Sequence, residues 1–335
     1  MSLKDLVEVS NYYGSNEEFV LAGGGNTSYK TDEYLFVKGS GTILATIKEE
    51  GFVKMNRAAL SAMWQKKYSE NSEEREAQVL ADLMDAREKT EYLKRPSVET
   101  SLHDLFEQKY VVHTHPPLIN GLTCSKQGEA AVKELFGDRA VWIPEMEPGY
   151  VLASSVKKVL DDYKAKFGKP VDIMFLQNHG IFIAADSVEE IKMVTDYVVD
   201  KIKSKVTAVP DFSRVEFDRE KAAAIAPAIR MLLMQENSTS IVTFRTNREI
   251  AALVESEEAF APVSSAYTPD HIVYCRHEAM FVPACDDIEE QYKILEEKLD
   301  EYKKKNNFPP KIVAVQKLGI FAWGQTKKEA DIAAL

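Results

Sequence analysis

Two histidines lie one residue apart in the stretch KYVVHTHPPL, directly after a run of residues that favour β-strand. Side chains at i and i+2 of a strand point to the same face, so His113 and His115 are predicted to lie side by side. Neutral imidazoles are common ligands of divalent cations. Two strand-end histidines bonded to backbone or water would give the same pattern, so the pair alone leaves both interpretations open.

A third histidine, His179, stands at the predicted end of another strand, just before Gly180. A catalytic zinc ion typically has three protein ligands and one open position. The three histidines could supply this set if the two strand ends meet. Glu99 is predicted in the first turn of the preceding helix, either as a surface residue or as a general base close to the metal. His103, four residues on, is expected to be a buried, hydrogen-bonded structural residue.

Two glycine-rich segments, LAGGGNTSYK and VKGSGT, indicate turns whose backbone amides can bind an anion. The first nearly matches a dinucleotide fingerprint, but short strands rather than a long helix are predicted after it, so the required context is missing. Ser97 is predicted to cap the helix that contains Glu99, and a helix N-terminus is a natural phosphate position. Two tight hairpin turns without a ligand are the alternative interpretation.

The elements that must position these residues follow from hydrophobic periodicity and from capping signals. Pro96 is predicted to end one helix, and Asn56 to cap another. Strands are predicted in SYKTD, YLFVKG and AVWIP, with a hairpin-like pair in VDIMFLQNHGIFIAA. The predicted helices of this part of the chain cover residues 2–13, 56–69, 72–93, 98–106, 153–167 and 187–204.

Composition and charge narrow the class of protein. The chain is 45% hydrophobic and 28% charged, which is typical of a globular protein. Its 53 acidic and 42 basic residues give a net charge of -11, which argues against a general nucleic-acid binder. Three scattered cysteines predict neither disulfides nor a thiolate zinc site. Without a recognisable signal peptide or an apolar stretch long enough to cross a bilayer, a cytoplasmic location is predicted.

The length of 335 residues predicts two domains. Residues 1–207 are expected to form a metal-binding catalytic domain, and residues 208–335 a smaller α+β unit after the linker-like TAVPDFS. The segments DIMFLQNHGIFIAADSVEEIKMV and KIVAVQKLGIFAWGQTKKEADIA share one order of strand, turn, strand and helix, with Leu318 in place of His179. This echo indicates either a degenerate repeat or two ordinary pieces of similar type.

Seven segments together resemble the class II aldolase/adducin family, and within it most of all the aldolase part of bifunctional rhamnulose-1-phosphate aldolase/alcohol dehydrogenase proteins. They are GGGNTSYK, VKGSGTILATI, RPSVETSLH, VVHTHPPL, NHGIFIA, TPDHIVY and KLGIFAWGQTKKEA. The joint occurrence of PSVE, HTH and NHG is highly specific. With this resemblance, we expect a three-layer α/β/α domain around a mostly antiparallel sheet, followed by a smaller C-terminal α+β unit. The resemblance also implies a homotetramer.

The resemblance assigns roles to individual residues. His113, His115 and His179 would bind Zn²⁺ or another divalent cation, and Glu99 would be the catalytic acid/base. Some relatives use a tyrosine of a neighbouring subunit as a proton donor; this chain has no clean match, and Tyr150 is a candidate more typical of a structural residue. The residues expected to bind substrate phosphate are Gly25, Asn26, Thr27, Ser28, Ser40, Gly41 and Ser97.

The function implied by the resemblance is that of a zinc-dependent aldolase. It would cleave a ketose 1-phosphate, of the rhamnulose or fuculose type, to dihydroxyacetone phosphate and an aldehyde through an enediolate whose charge the cation stabilises. A sugar-phosphate 4-epimerase or dehydratase with the same metal site is one alternative, and a non-catalytic adducin-like interaction protein is another. The expected partner is a small sugar phosphate, with no nucleic acid and no membrane. No nucleotide-binding fingerprint supports a dehydrogenase function.

Overall fold

The computed structural model describes residues 2–234 and 238–335. The chain divides into two compact units, the first ending at Val206 and the second running from Thr207 to Leu335. None of the helices in the described ranges has the length and apolar character needed to cross a membrane. Each unit contains one sheet, and the histidines of interest lie in the first.

The first unit is built on a seven-stranded sheet of order β3-β2-β1-β4-β7-β6-β5. Every neighbouring pair is antiparallel except β5 and β6, which are parallel. The mostly antiparallel sheet expected from the sequence is therefore confirmed. The strands are β1 Asn26–Lys30, β2 Tyr34–Lys38, β3 Phe52–Asn56, β4 Tyr110–Thr114, β5 Ala140–Ile143, β6 Ile173–Leu176 and β7 Gly180–Ala185.

Eight helices cover the two faces of this sheet, which gives the three layers expected from the sequence. They are α1 Leu3–Gly14, α2 Arg57–Met63, α3 Ser72–Asp85, α4 Thr100–Leu105, α5 Pro117–Thr123, α6 Gly128–Phe136, α7 Tyr150–Phe167 and α8 Val188–Lys203. Helices α1, α5, α6 and α8 pack on one face, and α2, α3, α4 and α7 on the other. Because side chains alternate along β4, Tyr110 and Val112 enter the first core, while Val111 and His113 face the second layer.

The helix predicted over residues 72–93 is too long. Helix α3 ends at Asp85, and a separate 3-10 turn covers Lys89–Glu91. Arg87 pairs with Met55 of β3, and its guanidinium donates to several carbonyl oxygens of the following loop. These tertiary contacts outweigh the helix propensity of a Glu- and Lys-rich segment.

The prediction that Ser97 caps α4 is also corrected. The helix begins at Thr100, and Glu99 occupies the N-cap position. Ser97 lies two residues earlier, where its Oγ accepts a hydrogen bond from the backbone N–H of Glu99 at 3.2 Å. In contrast, Asn56 caps α2 as predicted, because its side chain accepts from the N–H of Ala59.

The second unit contains a four-stranded sheet of order β8-β11-β10-β9, in which only β9 and β10 are parallel. Its strands are β8 Ile241–Arg245, β9 Met280–Val282, β10 Ile312–Val315 and β11 Gly319–Gly324. Its helices are α9 Arg219–Leu232, α10 Arg248–Leu253, α11 Glu257–Phe260, α12 Pro269–Cys275, α13 Ile288–Asn306 and α14 Lys327–Ala333. Helices α9 and α13 share a core with Phe321 and Trp323 of β11. The smaller α+β unit expected from the sequence is confirmed.

The sequence echo extends to the backbone of the two units. The β6–β7 and β10–β11 hairpins turn through Asn178 and Lys317, whose φ angles are 56° and 58°. The N–H of Gln177 donates to the carbonyl of Ile143 in the neighbouring parallel strand, and Gln316 repeats this contact in its own unit, both at 2.9 Å. The two hairpins thus share their turn geometry and their parallel neighbour.

Candidate metal centre

The three histidines come from two adjacent strands in the middle of the sheet. His113 lies in β4 and His115 directly follows it, while His179 lies in the turn that joins β6 to β7. Strand β4 pairs with β7, with His113 opposite Phe182. This pairing brings the end of β4 to the turn before β7. The strand ends therefore meet, which was the condition for a shared site.

The ring nitrogens of the three histidines converge. The Nε2 atom of His113 lies 2.9 Å from the Nε2 of His115 and 3.3 Å from the Nε2 of His179. One ligand nitrogen from each ring falls within 4.8 Å of the others. His113 and His115 are buried and His179 is partly exposed, so the cluster opens to solvent on one side.

The orientation of His113 is fixed by its neighbours. Its Nδ1 lies 2.9 Å from the carbonyl oxygen of Ile181, which can only accept, so Nδ1 carries the proton. In the neutral ring, the lone pair of Nε2 then points into the cluster. The ring also stacks on Phe182, with centroids 4.0 Å apart. A carbonyl that orients the far nitrogen is a frequent arrangement of metal-binding histidines.

Glu99 adds a carboxylate to the cluster. Its Oε1 lies 3.3 Å from the Nε2 of His113 and 3.5 Å from the Nε2 of His179. Its Oε2 accepts a hydrogen bond from Asn26 Nδ2 at 2.5 Å. Burial raises the pKa of Glu99, and the hydrogen bond from the Asn26 amide acts against that rise and favours the carboxylate.

The donor set of this cluster fits a divalent cation. The oxygen Oε1 of Glu99 is buried and finds no hydrogen-bond donor within residues 2–234 and 238–335. It faces the inward lone pair of His113, so two acceptors are directed at the same small volume. A bound cation would satisfy both groups. His113, His115 and His179 could hold the ion, with Glu99 beside it.

Of the residues predicted to bind phosphate, Asn26 and Ser97 contact Glu99, and Ser40 and Gly41 lie in a turn next to Ser97. Asn26 sits opposite His113 in the β1–β4 pairing, and its Nδ2 also reaches Ser97 Oγ at 3.2 Å. A bridge between Gly39 and Pro96 brings the exposed Ser40 turn next to Ser97, and the N–H of Ser40 donates to the carbonyl of Arg95. The fourth is Gly41, in the same turn, which has a φ of 82° and open space around it.

Gly25 precedes Asn26 and has a φ of 77°. A Cβ atom at this position would lie 2.6 Å from the carbonyl oxygen of His113, so only glycine lets the loop approach β4 this closely. Gly25 therefore brings Asn26 next to the histidine strand.

The hydroxyls of Thr27 and Ser28 do not join this group, and the sequence prediction is corrected for both. Thr27 is fully buried on the opposite face of the sheet, where its hydroxyl bonds to that of Ser10 at 2.7 Å. Ser28 is also fully buried, and its hydroxyl bonds to Nδ1 of His103 at 2.8 Å. Strand β1 begins at Asn26, two residues before the predicted start, so these residues belong to the strand and not to an anion-binding turn.

Lys38 is a charged residue of this region that the sequence analysis missed. It ends β2, directly before the Gly39–Ser40–Gly41 turn, and is 8% exposed. Within the described ranges its ammonium makes no ion pair or side-chain hydrogen bond. Burial lowers the pKa of Lys38, and the charge of Glu99 opposes that shift. The available signal was a lysine at the end of the apolar run YLFV, just before a glycine-rich turn.

His103 and Tyr150 have structural surroundings. His103 is fully buried between Ser28 and Asn26, as expected of a hydrogen-bonded structural residue. Tyr150 begins α7 and packs against Trp64 and Tyr68, with ring centroids 6.0 and 4.7 Å away. This aromatic cluster accounts for Tyr150 without a role in proton transfer.

Two known proteins share part of this sequence or fold. The protein named "Uncharacterized oxidoreductase YuxG" of Bacillus subtilis (strain 168) is 25% identical over 322 residues, which cover 87% of this chain and 44% of that protein. The chain thus spans less than half of the length of this relative. The solved N-terminal class II aldolase domain of a conserved protein from Thermoplasma acidophilum is 28% identical, with a TM-score of 0.52, and the match covers 61% of this chain and 93% of that one.

A more distant similarity concerns an enzyme of stated substrate. The solved L-fuculose-1-phosphate aldolase from Thermus thermophilus is 14% identical with a TM-score of 0.37, over 60% of this chain and 91% of that one. The family models give the broader result. The model described as "Class II Aldolase and Adducin N-terminal domain" matches residues 4–204, and the one described as "Aldolase class II, second domain" matches residues 220–334. Since the first match alone spans more than half of the residues, the chain belongs to the class II aldolase and adducin family.

Proposed function

We propose that this protein is a zinc-dependent aldolase that cleaves a ketose 1-phosphate, of the rhamnulose or fuculose type, to dihydroxyacetone phosphate and an aldehyde. The observation that carries the proposal is the carboxylate of Glu99, whose Oε1 lies 3.3 Å from one histidine of the cluster and 3.5 Å from another. A three-histidine set with an open position is typical of catalytic zinc. A carboxylate beside such a set supports proton transfer at a carbon next to a carbonyl.

The reaction needs one group that stabilises negative charge and another that moves a proton. A divalent cation at the histidines would supply Lewis-acid stabilisation of the enediolate, worth several kcal/mol. During cleavage the hydroxyl on carbon 4 would give its proton to a second base as the bond between carbons 3 and 4 breaks, and Glu99 in its protonated form would deliver a proton to carbon 3. In synthesis the carboxylate of Glu99 would remove that proton from carbon 3. The inward orientation of Oε1 and the Asn26 hydrogen bond on Oε2 favour this role. Asn26 would hold the carboxylate in one orientation while the proton moves.

A phosphate group at the far end of the substrate would fix the reacting carbon relative to Glu99. Lys38 would contribute a buried positive charge, and Ser40, Ser97 and the open turn at Gly41 would contribute hydrogen-bond donors. A phosphate carries up to two negative charges and accepts several hydrogen bonds, which suits this combination. The name of the similar L-fuculose-1-phosphate aldolase points to the same class of substrate.

The experiment is a product assay with the zinc-loaded protein. Rhamnulose 1-phosphate and fuculose 1-phosphate are supplied side by side, and dihydroxyacetone phosphate is measured with glycerol-3-phosphate dehydrogenase and NADH. We expect release of dihydroxyacetone phosphate from at least one of them, and its loss after chelation. An epimer or dehydrated sugar without dihydroxyacetone phosphate would replace this proposal by the epimerase or dehydratase alternative. A protein that binds no metal and changes no substrate would favour the adducin-like alternative.

The Glu99→Gln variant tests the role of the carboxylate. Because glutamine cannot accept the proton, we expect cleavage to slow by about 100- to 10,000-fold, while the three histidines still bind zinc. Activity is followed in the same assay, and bound zinc is measured by atomic spectroscopy. Full activity of the zinc-loaded variant would refute the role of Glu99.

A further inference from the structure

One row of side chains on β1 contacts helix α4 along its length. Asn26, Ser28 and Lys30 alternate along the strand and therefore face the same layer. Asn26 bonds to Glu99 at the N-cap of α4, and Ser28 bonds to His103 in its second turn. The ammonium of Lys30 donates to the carbonyl oxygens of His103 and Phe106 at the far end, both at 2.6 Å.

Ser28, His103, Asn26 and Glu99 are joined in this order by three hydrogen bonds, and the donor in each bond can be identified. The Oδ1 atom of Asn26 can only accept, so the Nε2–H of His103 donates to it. Nδ1 of His103 then accepts from the hydroxyl of Ser28. Because Oδ1 is bound to His103, the amide Nδ2 of Asn26 faces Glu99 and donates to its Oε2. Each donor in this series therefore sets the orientation of the next group.

The neutral state of His103 is required for this direction. Burial lowers the pKa of His103 to about 3, which keeps the ring neutral at ordinary pH. A neutral ring has one N–H, and with this proton on Nε2 the Nδ1 atom is an acceptor, which the hydroxyl of Ser28 satisfies by donating. Without Ser28, the ring can take the other tautomer and present a lone pair to Oδ1 of Asn26. Asn26 would then rotate and turn Oδ1 towards the carboxylate of Glu99, which would repel it.

We infer that Ser28 and His103 are positioning residues, which hold the carboxylate of Glu99 against the histidine cluster through the amide of Asn26. The inference uses the proposed function only in treating Glu99 as the acid/base. Its consequence for metal binding is independent of any substrate. Glu99 held 3.3 Å from the Nε2 of His113 adds negative charge next to the cation, so a displaced carboxylate would weaken metal affinity.

The test compares the Co²⁺ affinity of four forms of the full chain: wild type, Ser28→Ala, Glu99→Gln and the double variant. Co²⁺ is used because its visible absorption reports the ligands around it. We expect Ser28→Ala to weaken Co²⁺ binding by about tenfold, the lower end of the range for outer partners of metal ligands. In the Glu99→Gln background the same substitution should change the affinity by less than about twofold, because the carboxylate through which it acts is gone.

Ser10→Ala is the matched control. Ser10 is a fully buried serine, like Ser28, but lies on the other face of the sheet. The substitution removes two hydrogen bonds of its hydroxyl, one with Thr27 and one with the carbonyl oxygen of Leu6. Its Co²⁺ affinity and absorption should equal those of wild type. An equal loss of affinity in the Ser28→Ala and Ser10→Ala variants, or the same loss from Ser28→Ala with and without Glu99, would overturn the inference.

His103 provides the second arm of the test. Glutamine can donate to Asn26 and accept from Ser28, so His103→Gln should keep Co²⁺ affinity within about threefold of wild type, whereas His103→Leu should lose at least as much as Ser28→Ala. Equal Co²⁺ affinities of the His103→Gln and His103→Leu variants would contradict the inference that His103 acts through its hydrogen bonds. These readouts need no substrate, so they stand even if no ketose phosphate is cleaved and the proposed function fails.

Discussion

At the residue scale, the site combines two buried charges of opposite sign. Glu99 has a defined partner on one oxygen and faces the histidines with the other, whereas Lys38 has neither an ion pair nor a side-chain hydrogen bond within the described ranges. A buried charge without a partner is costly, and a ligand of opposite charge removes that cost. Lys38 is therefore the residue on which anion binding should depend most strongly.

The Lys38→Met variant tests this charge. Charge-assisted hydrogen bonds contribute about 1.5–3 kcal/mol, so we expect KM for the ketose phosphate and Kd for inorganic phosphate to rise by about 10- to 150-fold. Zinc content should stay unchanged. Lys48→Met, in an exposed position of the loop after β2, is the control for the loss of one positive charge. Equal phosphate affinity of wild type and the Lys38→Met variant would show that Lys38 takes no part.

Residue types and spacing indicated a possible metal site at the three histidines and left Glu99 open between a surface residue and a general base; the family resemblance joined the four residues. The histidines at 113 and 115 share a strand face, and a glycine follows His179 at a strand end; these are local signals. Lys38 was missed because its local signal, a lysine after an apolar run and before a glycine-rich turn, is also typical of a lysine at a strand end in solvent. Thr27 was assigned to a turn because β1 was predicted to start at Ser28, two residues late, and strand alternation sends the side chains of Thr27 and Ser28 to opposite faces.

At the element scale, the position of helix α4 depends on strand β1. Lys30 is 2% exposed and bonds to two carbonyl oxygens at the end of α4. Burial lowers the pKa of Lys30 from 10.5 to about 7, with Asp104 opposing the shift and Arg57 adding to it. Sequence alone could not predict this contact, because a lysine in a strand normally indicates an exposed position.

Lys30 makes folding stability depend on pH. Between about pH 7 and pH 10.5 the unfolded chain binds more protons at this residue than the folded chain, so raising the pH over this range increases the free energy of unfolding. Urea unfolding of wild type and of Lys30→Met, measured across this range, isolates the effect as a difference. As the pH rises, the free energy of unfolding of wild type should increase relative to that of the Lys30→Met variant. A constant difference would show that Lys30 stays charged in the folded protein.

The turn between β6 and β7 sets the position of His115 through a close backbone contact. A Cβ atom at Gly180 would lie 2.4 Å from the carbonyl oxygen of Thr114 and 2.8 Å from the ring of His115. Overpacking of this kind costs about 1–3 kcal/mol, so we expect Gly180→Ala to weaken zinc affinity by about 5- to 150-fold. Gly121→Ala, in open space on α5, should bind zinc like wild type. Unchanged affinity in Gly180→Ala would mean that the turn can move without displacing His115.

At the scale of the whole molecule, the two units share a hairpin but not its ligands. The β8–β11 pair of the second unit corresponds to the β4–β7 pair of the first. Phe244 lies opposite Phe321 where His113 lies opposite Phe182. Leu318 occupies the turn position of His179. Among the described residues, only the histidines of the first unit form a group that could hold a metal. The echo visible in the sequence therefore predicted the shared backbone, and the substitutions predict one metal site per chain. The homotetramer implied by the family resemblance stays a prediction.

Calorimetric titration of the metal-free full chain with Zn²⁺ tests the central claim most directly, because every proposed step depends on a cation held by the three histidines. We expect one zinc ion to bind tightly per wild-type chain, and no tight binding to a His113→Ala variant that circular dichroism shows to be folded. A wild-type chain that binds no stoichiometric zinc, or a His113→Ala chain that binds it as tightly, would contradict the account.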